Sequence, residues 1–199
     1  MRKRSTLITP PLDWPTIYAP APPPVIPVLA ERGGTQIKAP LAVLVSDSRE
    51  QQPFNFSRFA DWFSGLERRA LKLGDYSIAG LEHVCVVERK SLSDLAQSCS
   101  TERRVFVRRL QRMARYPHRL LVVTAGVTEI KSRNSQVWTD PNRILQSLLA
   151  ILVGLNVPFI CTDTHELGEE IVASYLYQVH LYHWLENNEY GRYLSDGDL

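Results

Sequence analysis

The 199-residue sequence lacks several features that would place it in familiar protein classes. It has no apolar run near 18 residues, which excludes an ordinary membrane-spanning helix. Its three cysteines, Cys85, Cys99 and Cys161, form no CxxC pair and no zinc-site spacing, so they favour buried thiols in a reducing compartment over disulfides. The basic start is not followed by an apolar stretch of signal-peptide length. We therefore expect a cytoplasmic protein that is not secreted and has no membrane partner.

A strong net charge is also absent. The formal net charge is only +2, so the total does not indicate a nucleic-acid binder, and the distribution of charge matters more. The length suits one domain of ordinary size with a tail, and an apolar share of 44% allows a sizeable core.

Residues 1–40 are predicted to form a proline-rich tail without regular structure. Eight of the chain's 13 prolines lie between positions 8 and 34, and proline offers no backbone N–H to a helix or sheet. This composition is typical of a disordered linker. The alternative is a docking strip for a protein partner, with Trp14, Tyr18 and Ile26 as anchors.

Residues 41–188 have the periodicities of an α/β domain. Five stretches rich in β-branched and apolar residues predict strands at 41–47, 70–80, 83–90, 119–126 and 157–163. Helical spacing predicts helices at 91–99, 101–116, 140–155 and 165–187. Asp140 followed by Pro141 is typical of a helix start, and Ser91 is a second N-cap candidate. We expect a central mixed sheet of about five or six strands with helices on both faces, followed by a flexible tail at 189–199.

Acidic residues occur at the ends of the first three predicted strands. Asp47 ends the first, Asp75 follows Gly74 in the second, and Glu88 lies on the third. Residues two apart on a strand share a face, so Glu88 and Lys90 should project together, about 6–7 Å apart along the chain. If the second and third strands pair, Asp75 joins them.

Two carboxylates beside a lysine suit a divalent metal. Mg²⁺ prefers oxygen ligands, which Asp75 and Glu88 would supply, and it would polarise a phosphoryl group and activate water. Lys90 would orient or deprotonate that water, or steady the phosphate charge. Asp47 and Glu50 would add further ligands or hold metal-bound water.

Two neighbours of this group have open roles. Asp94, in the first turn of the following helix, either fixes Lys90 or simply suits the helix dipole. Arg89 should point to the opposite face, where it would hold an acid such as Asp94 or Asp47, or contact DNA. An acid at the end of a strand, taken alone, is more often an ordinary surface charge. The three motifs DxRE, GDY and ERKxxxD, found in that order, instead favour a catalytic site.

The segments VSDSRE, LGDYSI and VVERKSLSD together resemble the nuclease domain of the XPF/Hef family of structure-specific endonucleases, especially its compact bacterial and phage versions. The resemblance covers about residues 41–185. It implies a restriction-endonuclease-like α/β core, dependence on Mg²⁺ or Mn²⁺, and cleavage of branched or flapped DNA. By motif position it implies catalytic roles for Asp47, Asp75, Glu88 and Lys90, metal ligation by the three acids, and supporting roles for Arg49, Glu50, Arg89 and Asp94.

The sequence departs from the family pattern in two respects. After the last predicted helix we expect no paired helix-hairpin-helix modules in these 199 residues, and we expect no helicase region, which leaves the substrate preference open. The glycine–arginine pair that usually opens the helix after the motif reads CSTERRVF here, so Arg103 and Arg104 are both candidates for the family arginine.

Basic residues concentrate in the predicted helix after the motif. Positions 101–119 hold seven arginines against one glutamate, and most of the row falls in one sector roughly opposite the apolar face. Such a row of arginines can bind DNA phosphates, and contacts of that kind do not depend on the base sequence. The alternative is a solvated helix face whose arginines form weak ion pairs. The polar loop near position 131 is a second candidate, in which Trp138 would stack on a base or cover the core. The predicted DNA-binding residues are Arg103, Arg104, Arg108, Arg112, Arg115, Lys131 and Arg133.

The last predicted helix carries more aromatic side chains than one buried stripe needs. They are Tyr175, Tyr177, Tyr182 and Trp184. Ordinary core and a dimer interface are both possible, and the family resemblance favours a homodimer through this C-terminal helix. His180 and His183 lie three apart, but no cysteine or acid completes a zinc site by spacing.

Three functions fit these observations. The first is a metal-dependent DNA endonuclease in repair, recombination or phage DNA processing. The others are a catalytically silent DNA-binding partner of the same fold, and a nuclease acting on RNA or free DNA ends. The presence of all four catalytic positions favours an active enzyme.

Overall fold

The computed structural model describes residues 29–30, 36–37, 39–132 and 140–188. The strands within them are β1 (Leu29–Ala30), β2 (Gln36–Ile37), β3 (Ala42–Asp47), β4 (Phe63–Arg69), β5 (Tyr76–Ile78), β6 (Cys85–Lys90), β7 (His118–Val123) and β8 (Phe159–Cys161). The α-helices are α1 (Leu92–Cys99), α2 (Arg103–Met113), α3 (Val127–Lys131), α4 (Pro141–Leu155) and α5 (His165–Asn187). A 3₁₀ turn covers Ser57–Phe59.

Six of these strands form one mixed sheet in the order β4-β3-β5-β6-β7-β8. β3 is parallel to β4 and antiparallel to β5, which is antiparallel to β6. β6, β7 and β8 run parallel to one another. The predicted mixed sheet of five or six strands is therefore confirmed, with six. A separate antiparallel pair, β1 with β2, falls inside the segment predicted as a tail; the rest of residues 1–38 and the predicted tail 189–199 lie outside the described residues.

The sheet has a hydrophobic core on each face, because side chains alternate along its strands. Val87 of β6 and Leu176 of α5 belong to one core, together with aromatic residues of the segment after β3. Val86 of β6 belongs to the other, which includes Leu95 of α1 and Leu110 of α2, and to which α4 also contributes. The predicted arrangement of helices on both faces is thus confirmed.

The helix starts follow the sequence signals. Ser91 caps α1, where its Oγ accepts a hydrogen bond from the backbone N–H of Asp94. Asp140 caps α4, where its Oδ1 accepts from the N–H of Asn142, and Pro141 occupies the first position of the helix. Both N-cap predictions are confirmed.

Several boundaries differ from the sequence prediction. β4 was not predicted, because only its first residue is buried and this edge strand shows no apolar alternation. The predicted strand 70–80 shortens to three residues, because Gly74 (φ 79°) and Gly80 (φ 82°) turn the chain on either side. The predicted strand 157–163 is also only three residues long, and α3 is an additional short helix.

The long helix α5 covers one face of the sheet and takes up most of its aromatic residues. Tyr177 is buried, and its ring lies edge-on to Trp62 at 6.0 Å. Tyr175 and Trp184 are half-buried against the same core. Although α5 has 23 residues, neither it nor any other helix of the described segments has the length and apolar character needed to cross a membrane.

Candidate active site

The acids at the ends of β3, β5 and β6 are brought together by backbone pairing. The N–H of Asp47 donates to the carbonyl of Asp75 at 2.8 Å, and the N–H of Asp75 donates to the carbonyl of Val87 at 2.7 Å. Gly74 permits this close approach, because a Cβ there would lie 2.4 Å from Val86 Cγ2 and 2.8 Å from the Val87 carbonyl oxygen. The glycine therefore sets Asp75 directly beside β6.

The carboxylates of Asp75 and Glu88 are both buried and are joined by one arginine of α2. Nε and Nη2 of Arg109 each lie 2.7 Å from Glu88 Oε2, and Nη2 lies 3.5 Å from Asp75 Oδ1. Asp75 Oδ2 accepts a hydrogen bond from the Arg89 N–H at 2.7 Å. Lys90 Nζ lies 4.0 Å from Glu88 Oε1. Asp75, Glu88 and Lys90 thus meet on one side of the sheet, facing α2.

Burial makes it costly to ionise both carboxyl groups at once. Desolvation raises the pKa of Asp75 to about 6, against the opposing effects of the Arg89 N–H and Arg109. Desolvation, and then the charge of Asp75, raises the pKa of Glu88 to about 8, while Arg109 and Lys90 act in the opposite direction. A divalent cation between the two groups would relieve this repulsion and favour both carboxylates.

Lys90 is held beside Glu88 by its surroundings. Its Nζ lies 5.6 Å from the centroid of the Phe106 ring on α2, within cation–π range. Its side chain is one-fifth exposed, so the ammonium group can meet both the carboxylates and a ligand arriving from solvent.

The carboxylate of Asp47 is bonded to Arg49 and to the backbone of Leu71. Its Oδ1 accepts from the backbone N–H of Arg49 at 2.7 Å and from Arg49 Nε at 2.9 Å. Its Oδ2 accepts from Arg49 Nη2 at 2.6 Å and from the Leu71 N–H at 2.9 Å. These bonds hold the pKa of Asp47 well below its usual range, and the bond from the Arg49 side chain has the largest effect. Its role as a third metal ligand stays a prediction.

Arg89 points to the opposite face of β6, as alternation requires, and holds an acid there, although that acid is neither Asp94 nor Asp47. Its Nη2 donates to Glu50 Oε1 at 2.8 Å, and its Nε is buried without a hydrogen-bond partner. Asp94 is exposed in the first turn of α1. Within the described residues no ion pair joins Asp94 to Lys90, so the helix-dipole interpretation suits Asp94 better.

The donor set fits a hard divalent cation with few protein ligands. In the described part of the chain, no three His, Cys, Asp or Glu side chains converge as a ready-made metal site. Mg²⁺ is commonly bound through one or two carboxylates, with waters and substrate phosphates completing its shell, and Asp75 with Glu88 meets that need. His180 instead contacts the Pro40 carbonyl, and His183 contacts Asn187.

α2 separates an apolar face from an exposed basic face. Phe106, Leu110 and Met113 are buried in the core. The exposed arginines are Arg103, Arg104, Arg108, Arg112 and Arg115. The half-buried Arg109 of the same helix links this basic face to the two carboxylates.

Three of the predicted DNA-binding residues make contacts within the protein. Arg112 Nη2 donates to the Lys72 carbonyl at 3.2 Å. Arg103 Nη1 donates to Ser147 Oγ at 2.7 Å, in a cleft of about 360 Å³ that Arg143 and Gln146 also line. Lys131 contacts the side chain of Asn142. Arg133 and Trp138 lie outside the described residues.

Arg109 was not among the residues selected from the sequence. It follows Phe106 by three positions and precedes Met113 by four, and such positions share a helix face. The signal was therefore available, because an arginine flanking the buried stripe is carried toward the sheet, whereas the selected row lies roughly opposite that stripe.

Glu169 of α5 makes a second set of buried contacts that the sequence did not predict. Its buried Oε1 accepts from the N–H groups of Asn55 and Phe56 at 3.1 and 2.7 Å, and its Oε2 pairs with Arg58 at 2.9 Å. The ring of Phe54 stacks on Tyr76 at 5.1 Å, and the Tyr76 hydroxyl accepts from the Phe54 N–H. These contacts fix the segment that follows DSREQQPF to the core.

Comparison with known proteins agrees with this architecture. The family model described as the ERCC4 domain matches residues 47–175. The structure of XPF from Aeropyrum pernix is similar with a TM-score of 0.53 and 19% sequence identity, over 76% of this chain and 71% of that one. The structure of XPF from Aeropyrum pernix in complex with DNA gives a TM-score of 0.52 and 19% identity, over 69% of this chain and 64% of that one.

No curated protein matches the sequence at comparable significance. The structural likeness confirms the restriction-endonuclease-like fold predicted for the six-stranded sheet. The matched segment contains all four predicted catalytic positions. The chain belongs to the ERCC4 domain family, and its folded part is an XPF-type nuclease domain.

Proposed function

We propose that the protein is a Mg²⁺- or Mn²⁺-dependent endonuclease that hydrolyses phosphodiester bonds in branched, flapped or otherwise structured DNA. One observation carries this proposal: Asp75 and Glu88 are buried side by side next to the partly exposed Lys90, where the central strands β5 and β6 begin and end. Membership of the ERCC4 domain family supports nuclease chemistry. The relative solved in complex with DNA supports DNA as the substrate.

In this proposal Asp75 and Glu88 hold the metal through their carboxylate oxygens. The ion, when bound, would polarise the scissile phosphate and lower the pKa of a coordinated water. Lys90 orients or deprotonates the attacking water, or balances charge on the phosphate, from its position beside Glu88. Asp47 and Glu50 are proposed to act at the rim, as further ligands or as holders of metal-bound water, although Glu50 also pairs with Arg89.

The basic row of α2 is proposed to bind the DNA backbone. Exposed arginines form charge-assisted bonds with phosphate oxygens and give affinity that does not depend on base sequence. Arg103 and Arg104 remain the two candidates for the family arginine. Lys131 and Arg133 are proposed as a second contact with the duplex.

The decisive experiment compares Asp75→Asn with the wild-type chain on a panel of flap, fork, four-way and linear substrates. We expect the wild type to cut structured DNA only with Mg²⁺ or Mn²⁺ present, and Asp75→Asn to lose cleavage while it keeps its fold and DNA binding. Asp61→Asn removes an exposed carboxylate elsewhere and serves as the matched control. Cleavage by Asp75→Asn in Mg²⁺ would show that the site is wrongly assigned.

A catalytically silent DNA-binding module is the second candidate. It is favoured by the contact of Arg109, whose guanidinium partly neutralises both carboxylates without a metal. A wild-type chain that binds DNA but gives no heat with Mn²⁺ in calorimetry would support this alternative. RNA and free DNA ends belong in the same substrate panel, because cleavage of those alone would redirect the proposal.

We further propose a homodimer that pairs through α5, in a cytoplasmic protein of DNA repair, recombination or phage DNA processing. A competing interface is the outer surface of α4, which packs on the opposite face of the sheet and exposes Leu149, Leu152 and Val153. Sedimentation of Val153→Glu and Tyr182→Glu would distinguish the two helices, since only a change inside the interface yields monomers. A protein partner for the proline-rich segment stays a prediction.

A further inference from the structure

We propose that Arg109 occupies the place of the divalent cation in the metal-free protein and must leave Asp75 and Glu88 when that cation binds. This inference rests on the metal site proposed above. It makes Arg109 a positioning residue that holds the two carboxylates together and competes with the metal for them.

A metal ion and the Arg109 guanidinium would compete for the same carboxylate oxygen atoms. Arg109 donates two N–H groups to Glu88 Oε2 and reaches Asp75 Oδ1. The other Asp75 oxygen accepts the Arg89 N–H, and the other Glu88 oxygen faces Lys90. One nitrogen, Nη2 of Arg109, therefore contacts one oxygen of each carboxylate, and a cation that used the same two oxygens would have to displace it.

Arg109 can leave without disturbing the fold. The helix that carries it is fixed by Phe106, Leu110 and Met113, all buried on the neighbouring stripe. The Arg109 side chain itself is 38% exposed, whereas the Glu88 side chain is 2% exposed. A change of side-chain rotamer therefore moves the guanidinium into solvent, beside the other arginines of α2, while both acids stay in place.

This competition predicts that loss of Arg109 increases the affinity for the metal. Removing a residue that contacts both proposed metal ligands should strengthen metal binding, because the cation no longer has to break an ion pair. Charge-assisted hydrogen bonds of this kind are strong enough to change the dissociation constant about tenfold. A residue that merely supports the ligands would have the opposite effect, since its loss would misplace them.

The test is calorimetric titration of Mn²⁺ into the full wild-type chain, Arg109→Gln and Arg108→Gln. The Arg108→Gln control removes the same charge from an exposed neighbouring position of α2. We expect Arg109→Gln to bind Mn²⁺ about tenfold more tightly than the wild type, and Arg108→Gln to stay within about twofold, because solvent screens its charge.

The outcomes separate this inference from the proposed function. Equal Mn²⁺ affinity in all three proteins, or weaker binding by Arg109→Gln, overturns the role of Arg109 and leaves the metal site standing. The absence of Mn²⁺ binding in every protein overturns both.

A second measurement needs no variant to fold. The guanidinium N–H resonances of Arg109 in the intact wild-type chain should be protected from exchange in EDTA, because they are bonded to a buried carboxylate. Saturating Mg²⁺ should remove that protection, while the buried Arg89 keeps its own. Protection of Arg109 that persists at saturating Mg²⁺ contradicts the proposal.

Discussion

Arg89 Nη2 and Glu50 Oε1 lie 2.8 Å apart in a buried ion pair that ties β6 to the loop after β3. Both side chains are less than one-tenth exposed. The pair lies on the face of β6 opposite Glu88 and Lys90, so one strand carries a proposed catalytic pair on one side and a structural pair on the other. DSRE and ERK are joined by this contact.

Glu50→Ala should destabilise the fold strongly, because it leaves the Arg89 guanidinium buried without a carboxylate. Loss of one partner of a buried ion pair costs about 3 kcal/mol or more. Urea unfolding of Glu50→Ala and of the double variant Glu50→Ala with Arg89→Met measures this cost. We expect the double variant to recover part of the loss, whereas equal or greater destabilisation would argue against a dominant role for the stranded charge.

Asp47→Asn should lower stability by about 2 kcal/mol at neutral pH, because Arg49 and Leu71 lose a charged acceptor. The folded-state pKa of Asp47 lies below its unfolded value, near 3.9. Its contribution is therefore fully present above about pH 4 and is lost as the pH falls toward the lower folded value. Urea midpoints at pH 7 and pH 3 should show a gap between wild type and variant that narrows in acid.

Glu169→Ala should loosen the segment from Phe54 to Arg58 more than the remainder of the domain. Two backbone N–H groups and one guanidinium lose their shared acceptor, which corresponds to about 2–3 kcal/mol. Hydrogen exchange of the Asn55 and Phe56 amides should accelerate, while the amides of β7 change less. Uniform acceleration across the sheet would indicate global unfolding instead.

Replacing Arg104, Arg108 and Arg115 together with glutamine should weaken DNA binding by a similar factor for every sequence, because the contacts are to phosphates. The slope of log affinity against log salt concentration should become shallower by about 2–3, from the loss of about three phosphate contacts. Arg119→Gln is a control near the start of β7, away from the end that lies beside Lys90. Unchanged salt dependence in the triple variant would remove this helix from the DNA surface.

Much of the fold was predictable because its central strands are buried on both faces. Continuous apolar runs predicted β3, β6 and β7, and capping residues predicted the starts of α1 and α4. The edge strand β4 was missed because only Phe63 is buried, and its stability comes from pairing with β3 instead of from its own pattern.

The meeting of Asp75, Glu88 and Lys90 followed from strand alternation and one assumed pairing. The partners of Asp47 and Arg89 could not be predicted in this way, because they depend on how the loop after β3 returns to the sheet. Arg109 and Glu169 come from helices on opposite faces. The contacts of Arg109 join positions at least 21 residues apart in the chain and those of Glu169 at least 111, so no local periodicity identifies the partner.

The matching of acids with arginines also constrains how this domain can diverge. A descendant that lost Glu88 would keep Arg109 half-buried without its main partner, and one that lost Glu50 would strand Arg89. Loss of activity through a single acidic position therefore carries a stability penalty until the matching arginine changes too. We expect inactive lineages of this domain to lose acid and arginine together, so that the two positions of each couple vary as a unit.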